Sequence, residues 1–174
     1  VRDVEELQQM VQQALEVSRP GPRTLNLEPV DVVDVLRVML FEMSAQDRIS
    51  LSGDGEPVWA LAQPVTLKRA LCNVLENCLR YAESAQVECG ETDSGVVINV
   101  VDQGPGVPDE MLGDLLLPFV RVENSRSREF GGAGLGLAIA KSLIDMQGGS
   151  LSLHNRFQPR GLTVEIRLRR PADL

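Results

Sequence analysis

Two asparagines and an arginine are predicted to share one stripe of a long helix. The apolar spacing of residues 64–81 predicts the helix. Inside it, Asn73, Asn77 and Arg80 follow one another at i, i+4 and i+7. Two amide oxygens beside a guanidinium suit a hard cation that bridges phosphate oxygens, with the guanidinium paired to the phosphates. Taken alone, the stripe fits a polar solvated helix face slightly better.

A carboxylate follows the apolar segment 96–101. Asp102 precedes Gly104 and Gly106 in a short glycine-rich stretch. A carboxylate at a buried strand end costs free energy unless it accepts hydrogen bonds, and an adenine exocyclic amine is a fitting donor. The glycines permit positive φ and let the backbone approach a flat purine closely. As an isolated motif, the stretch is more simply a turn.

Glycines at 131, 132, 134 and 136 lead directly into a predicted helix that begins at Leu135. The N-terminal amides of such a helix can hold anions. A dinucleotide-binding loop must follow a strand, whereas the preceding segment 121–130 is charged and lacks strand periodicity. A P-loop is excluded because no Gly-Lys-Ser/Thr follows. The glycines therefore favour a hinge at a phosphate site.

The charged segment 121–130 is predicted to be a mobile lid. It would bring Arg126 and Arg128 toward phosphate, although a solvated loop is an even alternative for either arginine. Phe119 would anchor the lid by apolar contact, or would equally be a core residue. Tyr81, at the end of the asparagine helix, would pack near the nucleotide or lie in the core with a wet hydroxyl.

Composition limits the class of protein. The 174 residues are 43% hydrophobic, which is enough for one core, and a net charge of −8 argues against a nucleic-acid binder. The three cysteines are predicted to be free thiols. No apolar run approaches the ~20 residues of a membrane span. His154 is the only histidine and has no ligand-type neighbour at useful spacing, so neither a zinc site nor a catalytic triad is predicted.

The periodicity predicts helices between short strands. Helices are predicted at 30–45, 64–81 and 135–146, and strands at 24–27, 49–51, 57–60, 86–89, 96–101, 150–154 and 162–168. The second and third strands flank a Gly53-Asp-Gly55 turn, and the fourth and fifth form a hairpin. We expect an α+β sandwich with helices on one face of the sheet.

A separate helix is predicted at the N-terminus. Its apolar residues form a 3-4-3 heptad seam: Val4, Leu7, Val11 and Ala14. An ordinary surface helix fits this pattern equally. Pro20 and Pro22 flank a glycine, end the helix and mark a domain boundary.

In their order, these motifs resemble the catalytic and ATP-binding domain of bacterial sensor histidine kinases, within the gyrase, Hsp90 and MutL ATPase superfamily. Residues 71–81 are similar to the asparagine box and residues 102–107 to the first glycine box. Residues 118–139 are similar to the phenylalanine box, lid and second glycine box. The resemblance covers residues 24–168, is nearest to osmosensor-type kinases and implies a Bergerat-type fold, with a mixed, mostly antiparallel sheet.

The resemblance also implies a role for each motif. Asn77 would hold Mg²⁺ with help from Asn73, Arg80 would contact phosphate, and Asp102 would bind adenine. Asn73 stands where the ATPases of the superfamily have a glutamate that activates water, and an amide cannot act as that base. Slow hydrolysis is expected, which keeps the γ-phosphoryl group for another acceptor. The other nucleotide-binding positions implied are Tyr81, Gly104, Gly106, Val107, Arg126, Arg128, Gly132, Gly134, Leu135, Gly136 and Leu137.

The implied organisation is that of a kinase with further parts. Residues 1–19 would be the C-terminal part of the second dimerisation helix, 20–23 a linker, 24–170 the catalytic domain and 171–174 a tail. The phosphoacceptor histidine would lie on a preceding helix that this sequence lacks. The implied partners are that dimerisation domain and a response regulator, in a homodimer at full length and a monomer as this piece. The chain itself would be soluble, the cytoplasmic portion of an inner-membrane sensor.

Two other functions fit parts of the pattern. A serine-phosphorylating anti-sigma-factor kinase shares the superfamily motifs but would lack the N-terminal coiled-coil helix. A non-catalytic nucleotide-binding regulatory module is disfavoured by the intact Asn77, Asp102 and glycine hinge.

Overall fold

A mixed five-stranded sheet forms the centre of the molecule. The structure, a computed structural model, describes residues 25–53, 55–122, 134–158 and 160–171. The sheet has the order β2-β4-β5-β7-β6, in which β2 and β4 are parallel and the other neighbours antiparallel. Its strands are β2 (Ile49–Ser52), β4 (Ala85–Thr92), β5 (Gly95–Asp102), β6 (Ser150–Phe157) and β7 (Arg160–Leu168).

Within the described ranges, three helices lie on this sheet: α1 (Val32–Glu42), α2 (Pro64–Tyr81) and α3 (Gly136–Asp145). Side chains along the strands alternate in burial. Val96, Ile98 and Val100 of β5 are fully buried, whereas Val97 and Asn99 between them are only half-buried. Because one face is covered and the other is not, the helices form a single layer. The predicted α+β sandwich with a mostly antiparallel sheet is confirmed.

A second, two-stranded sheet corrects two predictions. The strand predicted at 24–27 is wrong, because β1 is Glu28–Asp31 and pairs antiparallel with β3 (Trp59–Ala62). The two strands predicted on either side of the turn at residues 53–55 also do not pair with each other, because β2 pairs with β4 and β3 with β1. Gly53 and Gly55 have φ of 121° and 77°, which lets the chain turn away from β2 toward the other sheet.

The predicted bounds of α2 are confirmed at both ends. Pro64 occupies its first turn, and the Gln63 side chain caps the helix by accepting a hydrogen bond from the Thr66 N–H (2.8 Å). At the other end, the Arg48 guanidinium donates to the carbonyls of Leu79 (2.8 Å) and Ala82 (2.9 Å). These bonds place a positive charge at the negative end of the helix dipole. The helix that carries the asparagines is thus fixed at both ends.

The other helices and strands agree with prediction to within a few residues. α1 begins two residues later than predicted because Asp31 caps it, with Oδ1 accepting from the N–H groups of Val33 (3.0 Å) and Asp34 (3.4 Å). The hairpin of β4 and β5 is confirmed. Two 3₁₀ turns, Asp109–Met111 and Asp114–Leu116, follow β5. Cys72, Cys78 and Cys89 are free thiols, as predicted.

The N-terminal helix predicted for residues 1–18 and the proline boundary lie outside the described residues. Among the helices within the described ranges, none combines the length and the apolar character that a membrane span requires.

Candidate functional site

The centre of the candidate site is the buried carboxylate of Asp102, which is 4% exposed at the end of β5. Its Oδ1 accepts hydrogen bonds from the backbone N–H groups of Gly104 (2.9 Å) and Leu162 (2.8 Å). Both hydrogen bonds that the described residues make to this carboxylate end on Oδ1. Oδ2 accepts neither of these hydrogen bonds, so it keeps its capacity to accept one from a ligand.

Close packing fixes the position of this carboxylate. A methyl group added to Gly161 would lie 2.0 Å from the Asp102 carbonyl oxygen and 3.1 Å from its Oδ1. The buried Cys78 of α2 is a further neighbour of the Asp102 carboxylate. Burial, followed by the charge of Asp102, raises the pKa of the Cys78 thiol to about 12. The thiol is therefore neutral at physiological pH, and the carboxylate has a small, uncharged neighbour.

The loop after Asp102 lies against the end of α2. A methyl group on Gly104 would come within 3.2 Å of the Tyr81 carbonyl oxygen. Gly106 has φ of 68°, a conformation that favours glycine. Val107 is half-buried and packs against the core. Tyr81 is 40% exposed, which excludes the core position considered for it.

Asn73, the first residue of the asparagine stripe, lies beside the beginning of α3. Asn73 Nδ2 donates a hydrogen bond to the Arg69 carbonyl (2.9 Å), and the Asn73 Oδ1 is not part of this bond. A methyl group on Gly136 would lie 3.7 Å from both the Asn73 carbonyl oxygen and Oδ1. Asn77 is half-buried and Arg80 exposed, one and two turns further along α2. The stripe therefore runs from the start of α3 toward the loop beside Tyr81.

The start of α3 has the features of an anion site. Leu135 occupies the N-cap position, and among the described residues no side chain caps the helix there. The first turn contains no acidic residue, and this composition suits an anion at the positive end of the helix dipole. Leu135 and Leu137 are buried, hence only their backbone could contact a ligand. Gly134 has φ of 69°, and its carbonyl accepts from the Phe119 N–H (3.0 Å).

Residues 119–120 pack directly on Gly134. A methyl group on Gly134 would lie 2.8 Å from the Val120 carbonyl oxygen. Phe119 is 65% exposed with φ of 67°, which excludes the core position considered for it. Of the other predicted site residues, Arg126, Arg128 and Gly132 lie outside the described residues.

One residue of the site was not predicted. The Asn155 side chain in β6 hydrogen-bonds both backbone polar groups of Val107, its N–H and its carbonyl, next to Gly106. It lies 48 positions away from Val107 in the sequence and belongs to none of the motifs. The only signal was an amide side chain near the end of a predicted strand, which is too common to single out. His154 beside it is exposed in β6, in accordance with the position predicted in the sheet.

The oxygen atoms that could ligate a metal at this site suit a cation that is also coordinated by phosphate. Within the described residues, no group of three or more His, Cys, Asp or Glu side chains could hold a metal. The amide oxygens of Asn73 and Asn77 are neutral ligands. Mg²⁺ retains waters and binds through few protein oxygens plus phosphates, so such a ligand set fits it only together with a bound polyphosphate.

The fold and this arrangement define an α+β nucleotide-binding domain. The helix α2 with its two asparagines lies between the Asp102 carboxylate at the end of β5 and the N-terminus of α3. The sequence profile of the histidine kinase-, DNA gyrase B- and HSP90-like ATPases matches residues 62–172. The chain belongs to this family.

Its relatives are sensor kinases. The chain is 34% identical over 169 residues to the sensor histidine kinase GtrS of Pseudomonas aeruginosa. This alignment covers 97% of this chain and 34% of GtrS. It is 32% identical over 173 residues to the signal transduction histidine-protein kinase BaeS of Escherichia coli, covering 90% of this chain and 35% of BaeS. The chain thus spans about a third of the length of these relatives.

Solved structures give the same result. Full-length ShkA in complex with AMPPNP matches with a TM-score of 0.81 and 26% identity, over 96% of this chain and 37% of ShkA. The mycobacterial sensor histidine kinase MprB matches with a TM-score of 0.67 and 27% identity, over 83% of this chain and 99% of the MprB chain. The predicted family and fold are confirmed.

Proposed function

We propose that this chain is the ATP-binding catalytic domain of a sensor histidine kinase. It would bind Mg·ATP and transfer the γ-phosphoryl group to a histidine on a dimerisation helix, for relay to an aspartate of a response regulator. The observation that supports this most directly is the placement of Asp102, a buried carboxylate whose Oδ1 is fixed by two backbone donors while Oδ2 accepts neither of these bonds. The complex of the similar kinase ShkA with AMPPNP agrees with it.

At the base end, Asp102 Oδ2 would accept a hydrogen bond from the adenine amine. The carboxylate is held by backbone bonds on its other oxygen, so little rearrangement is needed when the purine binds. Gly104 and Gly106 would leave room for the flat ring, while Val107 and Tyr81 would supply apolar contact. This arrangement selects a purine with an amine donor facing the carboxylate.

At the phosphate end, two elements would share the charge. The uncapped N–H groups at the start of α3 would bind phosphate oxygens, with Gly132, Gly134 and Gly136 as hinge positions and Leu135 and Leu137 contributing backbone. Asn77 would ligate Mg²⁺ with Asn73 beside it, and Arg80 would pair with phosphate. Mg²⁺ supplies charge neutralisation of the transferring phosphoryl group when bound. Arg126 and Arg128 would act from the lid.

Transfer to another protein, and not hydrolysis, would be the outcome. The Asn73 amide cannot accept a proton from water, and its Nδ2 is tied to a backbone carbonyl. Without a base to activate water, the bound ATP is preserved until an acceptor imidazole arrives. In a kinase of this type, the rate comes from positioning and charge neutralisation.

The proposal includes the organisation implied by the sequence. Residues 1–19 would continue a dimerisation helix, 20–23 would link it to the catalytic domain of 24–170, and 171–174 would be a tail. The dimerisation domain and a response regulator would be the partners. The whole protein would be a homodimer whose kinase part faces the cytoplasm below an inner-membrane sensor.

A trans-phosphorylation assay tests the activity. Mixed with γ-³²P-ATP and a separately prepared dimerisation domain of the same kinase, the chain should label that domain with acid-labile phosphate. The chain itself should remain unlabelled, because its one histidine, His154, lies in the sheet.

The control is His154→Ala, which should transfer phosphate as the wild type does. Acid-labile label on the chain alone would contradict the proposed transfer. Acid-stable label on a serine of a partner would instead indicate the serine-kinase alternative, and nucleotide binding without any transfer would indicate a regulatory module.

The metal role of Asn77 is tested by Asn77→Ala. ATP affinity measured by calorimetry should rise with Mg²⁺ in the wild type. In the variant this metal-dependent gain should fall by about 10-fold or more, equivalent to about 1.4 kcal/mol. The expected cause is loss of an oxygen ligand from the inner coordination sphere.

Glu76→Gln is the matched control, because Glu76 is the exposed neighbour of Asn77 on another side of α2. It should retain the Mg²⁺ dependence of the wild type. An equal effect of Mg²⁺ in wild type and Asn77→Ala would remove Asn77 from the metal site.

A further inference from the structure

The amide of Asn155 forms a three-bond clamp on the loop that follows Asp102. The Val107 N–H donates to Asn155 Oδ1 (3.0 Å), and Asn155 Nδ2 donates to the Val107 carbonyl (2.6 Å) and to Asp109 Oδ1 (2.6 Å). Both N–H donors of the amide are used. The orientation of the amide is fixed by these partners, since a flipped amide would face the Val107 N–H with its own donors.

The clamp closes the free end of a short loop. At its beginning, the Gly104 N–H donates to Asp102 Oδ1 (2.9 Å); at its end, the N–H and the carbonyl of Val107 are both bound by Asn155. Gly106, between them, packs on the clamp, because an added methyl group would lie 3.1 Å from Asn155 Oδ1. The loop backbone is therefore held at both ends by side chains that belong to the sheet.

The two side chains are also connected through one position of β7. Asn155 is the register partner of Leu162, and the Leu162 N–H is a donor to Asp102. A displacement of β6 at Asn155 would thus be transmitted both to the loop and to the carboxylate. β6 is an edge strand of the sheet, so its position depends on the contacts on its one paired side.

We propose that Asn155 is the positioning residue that preforms the purine-binding loop. This inference rests on the proposed nucleotide site and extends it with a residue outside its motifs. Asn155 holds the Val107 peptide so that the loop backbone already has its binding shape, and the purine does not have to order it. Its effect should appear at the base end of the ligand and not at the phosphate end.

The test compares two ligands, Mg·ATP and adenosine, by titration calorimetry. Asn155→Asp keeps the size of the side chain but removes both donors and puts a second carboxylate beside Asp109. Affinity for both ligands should fall by a similar factor, about 10-fold, since both contain the base. Adding Asp109→Asn should restore part of the loss, because one donor and one acceptor then face each other again.

His154→Ala is the matched control, because His154 is the exposed neighbour on the same strand. It should bind both ligands as the wild type does. Wild-type affinity of Asn155→Asp, or a loss limited to ATP with adenosine unchanged, would overturn the proposal.

A measurement on the wild type covers the case in which Asn155→Asp does not fold. The Val107 amide should exchange with solvent at least about 100-fold more slowly than an unprotected amide. Unprotected exchange there would overturn the clamp. If the wild type binds no ATP, the proposed function fails; if it binds ATP and Asp102→Asn weakens binding while Asn155→Asp does not, only the inference fails.

Discussion

Asp102→Asn is expected to reduce ATP affinity by about 10- to 100-fold, since a hydrogen bond to a charged group contributes about 1.5–3 kcal/mol. The amide oxygen must take the position of Oδ1, because the N–H groups of Gly104 and Leu162 point at it. The new NH₂ group then occupies the position of Oδ2 and faces the adenine amine, donor against donor. Calorimetric titration with Mg·ATP measures the loss.

Because shape and backbone contacts are retained, the Asp102→Asn protein should unfold at nearly the wild-type temperature. Glu88→Gln provides the matched change from acid to amide, at an exposed position of the adjacent strand β4. It should bind ATP normally. Equal affinity of Asp102→Asn and wild type would show that this carboxylate does not bind the base, and the site assignment would be wrong.

Features that depend on local sequence could be predicted. The bounds of α2 followed from Pro64 at its start and from an uninterrupted apolar stripe, and the hairpin of β4 and β5 followed from alternation on both sides of a short turn. The stripe of Asn73 and Asn77 follows from helical spacing alone. In each case the interaction that decides the structure lies within a few residues.

Features decided by distant pairing could not be predicted. β3 looked like the second strand of a hairpin, but its partner is β1, about 30 residues earlier in the sequence, and its Leu61 N–H donates to the Arg169 carbonyl (2.7 Å) at the other end of the domain. The strand predicted at 24–27 had only a four-residue alternation. Such a short pattern does not determine which residues pair.

The same limit applies to the site. The polar motifs were evident because they contain side chains with an obvious chemical use. The residues that hold them in place are Asn155, Arg48 and Gly161, and each acts through backbone groups far away in sequence. A lone asparagine, arginine or glycine near a strand end has no distinguishing pattern. The contacts that position a motif are therefore a property of the folded chain.

Gly161→Ala is expected to impair both stability and ATP binding. The β5–β7 ladder ends at the pair of Val101 and Thr163, and beyond it the Leu162 N–H turns to the Asp102 side chain. A methyl group at Gly161 would lie 2.0 Å from the Asp102 carbonyl oxygen, which is backbone and cannot rotate away. The two strands must separate at this point. Overpacking of this kind costs about 1–3 kcal/mol of the unfolding free energy.

Separation of the strands would also break the hydrogen bond between Leu162 and Asp102, so ATP affinity should fall by about 10-fold or more. Denaturant unfolding and calorimetric titration measure the two effects separately. Gly90→Ala is the matched control on β4, since a methyl group there would meet nothing within 4 Å. If Gly161→Ala were as stable as Gly90→Ala and bound ATP equally well, the close approach of β7 to β5 would not be what positions the Asp102 carboxylate. Loss of affinity with little loss of stability would instead locate the strain at the site itself, because the rest of the ladder is long enough to hold β7 in register.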